Sequence, residues 1–423
     1  MREMKDSGVA WIGEIPETWS LIRFKDKYRN IKEIAGESVE QYERLALTLN
    51  GVIRRPKEDD KGLQPKEFSG YQVLRENDFI FKMIDLQNIS TSRVGLSPYT
   101  GLVSPAYIRF TPKHQNTYTL FTYYFLMSMY YNCVFNSLGG DGVRSALNAS
   151  DMGALMIPFP QEDVQKKIAE LISESVKKVD ALIANQEQQI EKLKAYKQSL
   201  ITEVVTKGLK PNAPMKDSGV EWIGNIPSHW NVKRIKNAFS LRNEKNYESD
   251  LSNVNLISLY TDKGVIQHSD IVETTGNKAV TAEGYKCVCK NDIVVNIILC
   301  WMGAIGMSNY DGVTSPAYDI YKPINNTNSR YYHYLFRTPR FNGECYRYGR
   351  GIMMMRWRTY STEFSSLNIP CPPTEEQELI ANYLDEKCAA VDRLIEIKQQ
   401  KIEKLNDYKK SLIYEYVTGK KEA

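Results

Sequence analysis

The sequence predicts an α+β protein with two similar domains in tandem, each followed by a long α-helix, the two helices pairing as an antiparallel coiled coil. Three observations support this prediction. Long stretches of the first half recur in the second half, and each copy ends in a heptad stripe of apolar residues. The segments ahead of the stripes combine strand and helix patterns.

The repeat is visible in four pairs of segments. Written as first copy and second copy, they are MKDSGVAWIGEIP from Met4 and MKDSGVEWIGNIP from Met215, GYQVLRENDF from Gly70 and GYKCVCKNDI from Gly284, YTGLVSPAY from Tyr99 and YDGVTSPAY from Tyr310, and IEKLKAYKQSLI from Ile190 and IEKLNDYKKSLI from Ile402. A period this long indicates that a whole module was duplicated, because solenoid repeats span only about 20–50 residues. We therefore predict a first domain over residues 1–156, a first helix with the start of a linker over 157–210, a second domain over 211–368 and a second helix over 369–423.

The two tails have the heptad pattern of coiled-coil helices. The predicted seam of the first helix consists of Ile172, Val176, Val179, Ile183, Ile190, Leu193, Leu200 and Val204. The predicted seam of the second helix consists of Leu384, Cys388, Val391, Ile395, Ile402, Leu405, Leu412 and Tyr416. Gly208 and Gly419 are suited to end the helices, which gives each a length of about 65–70 Å. Thr374 and Gln377 predict a capping box at the start of the second helix.

Connectivity indicates how these helices pair. A heptad stripe alone would also suit a helix that dimerises with another chain. Here the short linker Lys210–Pro214 leaves the second domain at the far end of the first helix, so the second helix has to run back antiparallel to pair with it. Polar residues interrupt both seams at equivalent places, Gln186 with Lys398 and Lys197 with Lys409.

The domains themselves show patterns of both strands and helices. Alternation over Asn291–Ile297 and Tyr107–Phe110 predicts strands, and the aromatic run that starts at Tyr118 predicts a helix. The apolar run Leu120–Phe135 is shorter than the roughly 20 residues that a membrane span needs. We therefore predict a buried helix there and no membrane partner.

Composition and charge permit nucleic-acid binding and argue against a secreted or zinc-binding protein. The net charge is +4, and the seven cysteines lack any paired C-x-x-C spacing. The lone C-x-C of Cys287 and Cys289 supplies too few ligands for zinc. The N-terminus is charged and lacks the apolar segment of a signal peptide. We expect reduced thiols in a cytoplasmic protein without a metal site.

Motifs of the common enzyme classes are absent from the sequence. It contains no glycine-rich dinucleotide or phosphate loop, no HExxH, no amino-methyltransferase motif, and no nuclease pattern outside Glu396–Lys398 of the coiled coil. None of the four histidines has a histidine at the equivalent place in the other half. Ser104 and Ser315 of the shared SPAY lack a nearby base and are expected in turns ahead of strands. We therefore predict no catalytic residues.

Two non-catalytic domains at a set spacing suit a protein that reads two segments of DNA. Such a protein needs basic clusters for phosphates and divergent polar loops for bases. Residues 330–358 include seven arginines interleaved with tyrosines and only one acidic residue, which predicts phosphate contacts. Base contacts are predicted where the halves differ. The candidate DNA-binding residues are Arg54, Arg55, Lys57, Gln87, Asn88, Arg93, Arg144, Gln267, His268, Arg347, Arg350, Arg356 and Arg358.

At this point the chain resembles the DNA specificity subunit of type I restriction–modification enzymes. The resemblance rests on the doubled MKDSGVxWIGxIPxxW opening, the IPxP helix entries with Glu376-Gln377 and Ile380-Ala381, and the IEKLxxYKxSLI tails. It implies two target-recognition domains, each reading one half of an asymmetric site in double-stranded DNA. The first helix entry departs from the pattern, with Asp163-Val164 where the second copy has Glu375-Glu376.

The resemblance also implies partners and cofactors. The long helices would carry two modification subunits, which methylate adenine using S-adenosylmethionine. Restriction subunits would join them and cleave unmodified DNA using ATP and Mg. The chain itself would bind none of these cofactors.

One alternative comes from another class of protein, a coiled-coil scaffold with two protein-binding heads and no DNA contact. Retention on DNA or heparin that falls steeply with salt favours the specificity subunit. Salt-insensitive binding to proteins alone favours the scaffold.

Overall fold

The computed structural model describes residues 3–49, 51–59, 67–86, 93–114, 117–138, 146–270, 281–351 and 357–423. The chain forms two compact units. The first unit contains Met1–Gln186 and Gln399–Ala423, and the second contains Glu187–Lys398. Both boundaries fall inside long helices, so each unit holds one globular domain, the first half of one helix and the second half of the other.

The first unit is a mixed structure of short strands and helices. Its strands are β1 (Met4–Asp6), β2 (Glu14–Pro16), β3 (Ser20–Arg23), β4 (Tyr28–Asn30), β5 (Arg44–Thr48), β6 (Gly51–Arg55), β7 (Gln72–Leu74), β8 (Phe79–Phe81), β9 (Val94–Leu96), β10 (Gly101–Val103), β11 (Ile108–Pro112) and β12 (Met156–Phe159). Its helices are α1 (Phe24–Lys27), α2 (Leu120–Tyr131), α3 (Val134–Leu138), α4 (Ala149–Ala154) and the first half of α5 (Glu162–Lys207). The strands form four-stranded sheets in the orders β6-β5-β10-β7 and β4-β11-β8-β9, and the pairs β1-β2 and β3-β12.

The second unit repeats this arrangement. Its strands are β13 (Met215–Asp217), β14 (Asn225–Pro227), β15 (Asn231–Arg234), β16 (Phe239–Leu241), β17 (Ile257–Tyr260), β18 (Gly264–Gln267), β19 (Lys286–Val288), β20 (Ile293–Asn296), β21 (Ile305–Met307), β22 (Gly312–Thr314), β23 (Tyr318–Pro323) and β24 (Asn368–Cys371). Its helices are α6 (Ser329–Phe336), α7 (Pro339–Tyr348), α8 (Ser361–Ser366) and the first half of α9 (Thr374–Val417). The sheet β16-β23-β20-β21 matches β4-β11-β8-β9, whereas β17-β18 and β19-β22 form two separate pairs.

The local structure agrees with the patterns in the sequence. Strands β11 and β20 lie in the predicted segments, and α2 occupies the aromatic run with most of its side chains buried. Ser104 and Ser315 accept hydrogen bonds from the backbone N–H three residues later, as turns ahead of strands require. No helix among the described residues has the length and apolarity to cross a bilayer.

The long helices pair antiparallel in both units, which confirms the predicted fold class. In the first unit, Lys409 Nζ of α9 lies 2.7 Å from Asp180 Oδ1 of α5. In the second unit, Lys197 Nζ of α5 lies 2.6 Å from Asp392 Oδ2 of α9. Lys197 and Lys409, two of the polar residues that interrupt the apolar seams, therefore reach carboxylates on the opposite helix. All residues of the predicted seams are buried or half-buried.

The last turn of each long helix completes the core of a domain. The first core combines Leu412, Ile413, Tyr416 and Val417 of α9 with Ile12, Ile15, Trp19 and Phe121. The second core combines Val204 and Val205 of α5 with Trp222, Ile223, Ile226 and Trp230. Full burial of one such side chain contributes about 1.5–3 kcal/mol. Each domain therefore depends on a helix end supplied by the other half of the sequence.

The predicted capping box at the start of α9 is wrong. The buried side chain of Gln377 does not reach back to Thr374; its Nε2 donates to the carbonyl of Pro372 at 2.9 Å and its Oε1 accepts from the backbone N–H of Asn328 at 3.0 Å. Gln165 repeats the first of these bonds at the start of α5, donating to Pro160 at 2.8 Å. A buried carbonyl needs a donor, and in both copies the glutamine amide supplies it.

We predict that Gly419→Ala destabilises the protein by about 1–3 kcal/mol. Gly419 has φ of 71°, and an added Cβ would lie 2.4 Å from Cγ of Pro16. Gly343→Ala is the matched control, because Gly343 lies inside α7 and its Cβ would meet nothing within 4 Å. The control should be neutral or stabilising by about 0.5–1 kcal/mol. Thermal and urea unfolding measure both, and equal effects of the two substitutions would contradict this account.

Candidate nucleic-acid interface

The arginine-rich segment of the second domain contains a structural part. Arg330 Nε lies 3.0 Å from Asp385 Oδ2 on α9, which ties α6 to the long helix. Arg337 donates to the carbonyls of residues 261 and 262 at 2.9 and 2.8 Å and to that of Ile305 at 3.0 Å. Burial lowers the pKa of the Arg337 guanidinium. Both arginines hold elements of the domain together, so the predicted phosphate contacts do not extend over the whole segment.

Two of the interleaved tyrosines belong to the core. Tyr331 and Tyr332 are fully buried, and their hydroxyls donate to the carbonyls of Val205 at 2.7 Å and Pro370 at 3.2 Å. Burial raises the pKa of both phenols well above the ordinary value. The alternation of arginine and tyrosine at the start of this segment is therefore the two faces of helix α6, one charged and one in the core.

Among the remaining candidates of this segment, Arg347 and Arg350 are exposed and Arg358 is half-buried. Arg347 and Arg350 have side chains 62% and 75% exposed. Arg347 contacts Glu221 at 3.3 Å and Glu344 at 3.8 Å, and Arg350 contacts Glu363 at 2.9 Å. Arg358 pairs with Arg350 through two backbone hydrogen bonds of 2.8 and 2.9 Å. Exposed ion pairs of this kind are worth little, so the guanidiniums can exchange carboxylate for phosphate at small cost.

An aromatic stack lies next to these arginines in the sequence. The ring of Trp357 stacks on Tyr346 with centroids 5.0 Å apart, and Trp301 lies 5.6 Å from Tyr346 on a tilted ring. Trp357 Nε1 also donates to the carbonyl of Tyr346 at 3.0 Å. Trp357 was not among the residues predicted from the sequence, although its position next to Arg358 was a usable signal. The stack joins the two ends of the arginine-bearing segment, because Tyr346 precedes Arg347 and Trp357 precedes Arg358, and Tyr346 stays 43% exposed.

In the first domain the candidates lie on and just after the hairpin β5-β6. Arg54 is 61% exposed, lies over the ring of Tyr99 at 4.6 Å and contacts Glu43 at 3.0 Å. Arg55 contacts Asp59 at 2.7 Å, which raises the pKa of the guanidinium. Lys57 follows in the same surface groove of about 430 Å³, where its Nζ donates to the carbonyl of Val39 at 3.1 Å and lies 3.3 Å from Glu40. The structure thus brings these three cations together on one surface.

The structure corrects the prediction for Arg93. Its side chain is 1% exposed, and its guanidinium donates to the carbonyls of Ile84 at 2.9 Å and Asp85 at 2.7 Å. Burial lowers its pKa. The guanidinium of Arg93 is therefore engaged by the backbone of its own domain and shielded from solvent. Gln87, Asn88, Arg144 and Arg356 lie outside the described residues.

The equivalent hairpin of the second domain, β17-β18, carries neutral side chains instead. Gln267 ends β18 and is half-buried, and His268 is exposed with Nδ1 3.1 Å from the hydroxyl oxygen of Ser258. The two domains therefore present chemically different groups at the same place in the fold. The guanidinium group of arginine suits the edge of guanine, whereas amide and imidazole groups suit other base edges.

The described parts of the chain show no cluster of side chains suited to metal binding. Among the described ranges, no group of three or more His, Cys, Asp or Glu side chains could hold a metal ion, and all seven cysteines are free. His333 accepts a hydrogen bond from the backbone N–H of Met307 at 3.1 Å. Burial, together with the neighbouring charge of Arg337, lowers the pKa of His333 to about 3. This imidazole serves as a neutral structural acceptor.

We predict that Arg350→Ala weakens DNA binding to a similar extent on all sequences. Loss of one phosphate contact should reduce the slope of log affinity against log salt by about 0.9. Arg393→Ala is the control, because Arg393 is an exposed arginine on the long helix α9 and should leave the slope unchanged. Fluorescence anisotropy of the full-length chain at several salt concentrations measures both. An unchanged slope for Arg350→Ala would remove this residue from the interface.

Comparisons with known proteins identify the family. A sequence model described as "Type I restriction modification DNA specificity domain" matches residues 51–192 and 227–407, one match in each half. The chain is 23% identical over 428 residues to the type I restriction enzyme MjaVIII specificity subunit of Methanocaldococcus jannaschii, covering 96% of this chain and 93% of that protein.

Solved structures share the fold. A chain from work on the "Structural basis underlying complex assembly and conformational transition of the type I R-M system" superposes with a TM-score of 0.66 at 13% identity, covering 95% of this chain and 98% of that chain. The HsdS subunit of Thermoanaerobacter tengcongensis superposes with a TM-score of 0.50 at 13% identity, covering 96% and 98%. The family matches in both halves, over most of the sequence, agree with the repeated fold and favour the specificity subunit over the protein-binding scaffold. This chain belongs to the family of type I restriction–modification DNA specificity subunits.

Proposed function

We propose that this chain reads a bipartite, asymmetric site in double-stranded DNA, with each domain contacting one half of the site. The observation that carries the proposal is that the two domains share the same strand framework but differ in the polar side chains at its surface. Sheets β4-β11-β8-β9 and β16-β23-β20-β21 repeat the same strand order, while the hairpins beside them carry Arg54 and Arg55 in one domain and Gln267 and His268 in the other. Two equivalent scaffolds with different polar surfaces suit two different half-sites.

We further propose that the chain acts without catalytic residues of its own, in a cytoplasmic complex. Two modification subunits dock on the long helices and methylate adenine with S-adenosylmethionine. Restriction subunits join the complex and use ATP and Mg for cleavage. The support is family membership together with the division of the helix pair into two equivalent halves, which suits two copies of one partner.

The direct test separates recognition from catalysis. The purified chain alone should bind DNA but transfer no methyl group and cut no DNA. Addition of the modification subunit and S-adenosylmethionine should produce methyladenine at one bipartite sequence, detected by methylation mapping. Methyl transfer or cleavage by the rigorously pure chain would refute the assignment, as would salt-insensitive binding to protein partners with no affinity for DNA.

The equivalence of the helix ends predicts the behaviour of a fragment. In residues 1–210, the end of α5 carries Leu200, Ile201 and Val205 where α9 carries Leu412, Ile413 and Val417. Helix α5 also contains both Asp180 and Lys197, the residue types that form the ion pairs of the intact chain. A second copy of the fragment can therefore supply the missing helix end and both ion pairs.

We predict that the 1–210 fragment forms an antiparallel two-fold dimer and, with the modification subunit, methylates an interrupted palindrome. A dimer with two-fold symmetry binds a DNA site that has the same symmetry, which is a palindrome. Val204 replaces the larger Tyr416 in this arrangement, so Val204→Tyr should tighten the dimer. Analytical ultracentrifugation and methylation mapping measure the two parts. A stable monomer, or a dimer that still requires the asymmetric site, would show that the halves are not interchangeable.

A further inference from the structure

The long helices expose apolar side chains that the coiled coil does not use. Leu182 and Tyr408 are 49% and 53% exposed in the first unit, and Leu394 and Tyr196 are 48% and 55% exposed in the second. Each directly precedes a seam position, so all four occupy the same flank of the heptad. Leu182 and Leu394 are equivalent in the repeat, as are Tyr196 and Tyr408. Each long helix therefore exposes one leucine and one tyrosine at equivalent positions of the repeat.

The ion pairs place these residues beside each other in each unit. Asp180 contacts Lys409, so Leu182, two residues further along α5, lies at the level of Tyr408 on α9. Lys197 contacts Asp392, so Tyr196 lies at the level of Leu394. In an antiparallel coiled coil, residues that directly precede equivalent seam positions on the two helices lie on the same side of the helix pair. Each unit thus carries one leucine–tyrosine patch, built from one residue of each helix.

The flanks of the two leucines differ one turn away on either side. Lys178 of the first unit corresponds to Ala390 of the second, and Asn185 corresponds to Ile397. Ile397 follows Leu394 by three residues, one helical turn along the same flank, and is 52% exposed. The equivalent residue in the first unit is Asn185, which is also exposed. The patch of the second unit is therefore more apolar than the patch of the first unit.

We propose that the two patches are docking sites of unequal affinity for two copies of one partner, and that the partner loads first on the second unit. This inference rests on the proposed function, in which that partner is the modification subunit. Repetition of the same leucine and tyrosine indicates one partner bound twice, and a narrow apolar strip on a helix pair suits an apolar helix face of that partner. Burying the exposed half of Ile397 should make the second-unit site about three- to tenfold tighter.

The test titrates the full-length chain with purified modification subunit, using calorimetry and native mass spectrometry. Two binding events separated by about three- to tenfold are expected. Leu394→Asp should remove the tighter event and Leu182→Asp the weaker one, each leaving one bound copy. Leu379→Asn is the matched control, because Leu379 is 59% exposed on α9 but lies off the flank, and it should change neither event.

A reciprocal exchange tests the asymmetry itself. Ile397→Asn should bring the two affinities together, and Asn185→Ile should tighten the weaker event. Two equal events that Ile397→Asn leaves unchanged would overturn the inference while leaving the proposed function intact. Two copies still bound by both aspartate variants would also overturn it. Self-association of the chain that Leu394→Asp abolishes would assign the patch to a second copy and overturn it too. Absence of any binding to the modification subunit would refute the proposed function.

Discussion

Antiparallel pairing of the two long helices is the contact on which the rest of this structure depends. Each domain core is completed by the C-terminal turn of a helix that begins in the other half of the sequence, through Val417 and its neighbours in one unit and Val205 in the other. Burial of several large apolar side chains at each end supplies a driving force that no single domain has alone. Folding of the domains and pairing of the helices are therefore coupled.

Polar residues set the register of that pair. Lys197 and Lys409 occupy seam positions where an apolar residue would pack better, yet each finds an aspartate on the opposite helix. A charged residue on a seam stabilises little when paired but costs more when a shifted register leaves it without a partner. The arrangement thus favours one alignment, and because it occurs once in each half, the alignment is specified twice.

The domains combine a repeated framework with divergent details. Asp78 and Asp292 follow equivalent turns and are almost fully buried. Each accepts a hydrogen bond from an arginine Nε, at 2.6 Å from Arg109 on β11 and at 2.7 Å from Arg242 after β16. Burial raises the pKa of Asp78 despite the arginine. Both copies therefore retain a buried aspartate at this place, but the paired arginine comes from a different part of the domain in each copy.

The sequence by itself determined the duplication, the two helices, their direction and the family, because repeats and heptads are properties of spacing that survive without knowledge of distant contacts. Tertiary structure decided which charged residues are available. Arg93 and Arg337 look like surface cations in the sequence, yet in the folded chain their guanidiniums donate to backbone carbonyls. Gln377 likewise bonds Pro372 and Asn328 instead of capping its helix. The carbonyls that bind Arg337 and the backbone N–H of Asn328 that binds Gln377 lie far away in the sequence, and local spacing carries no information about such partners.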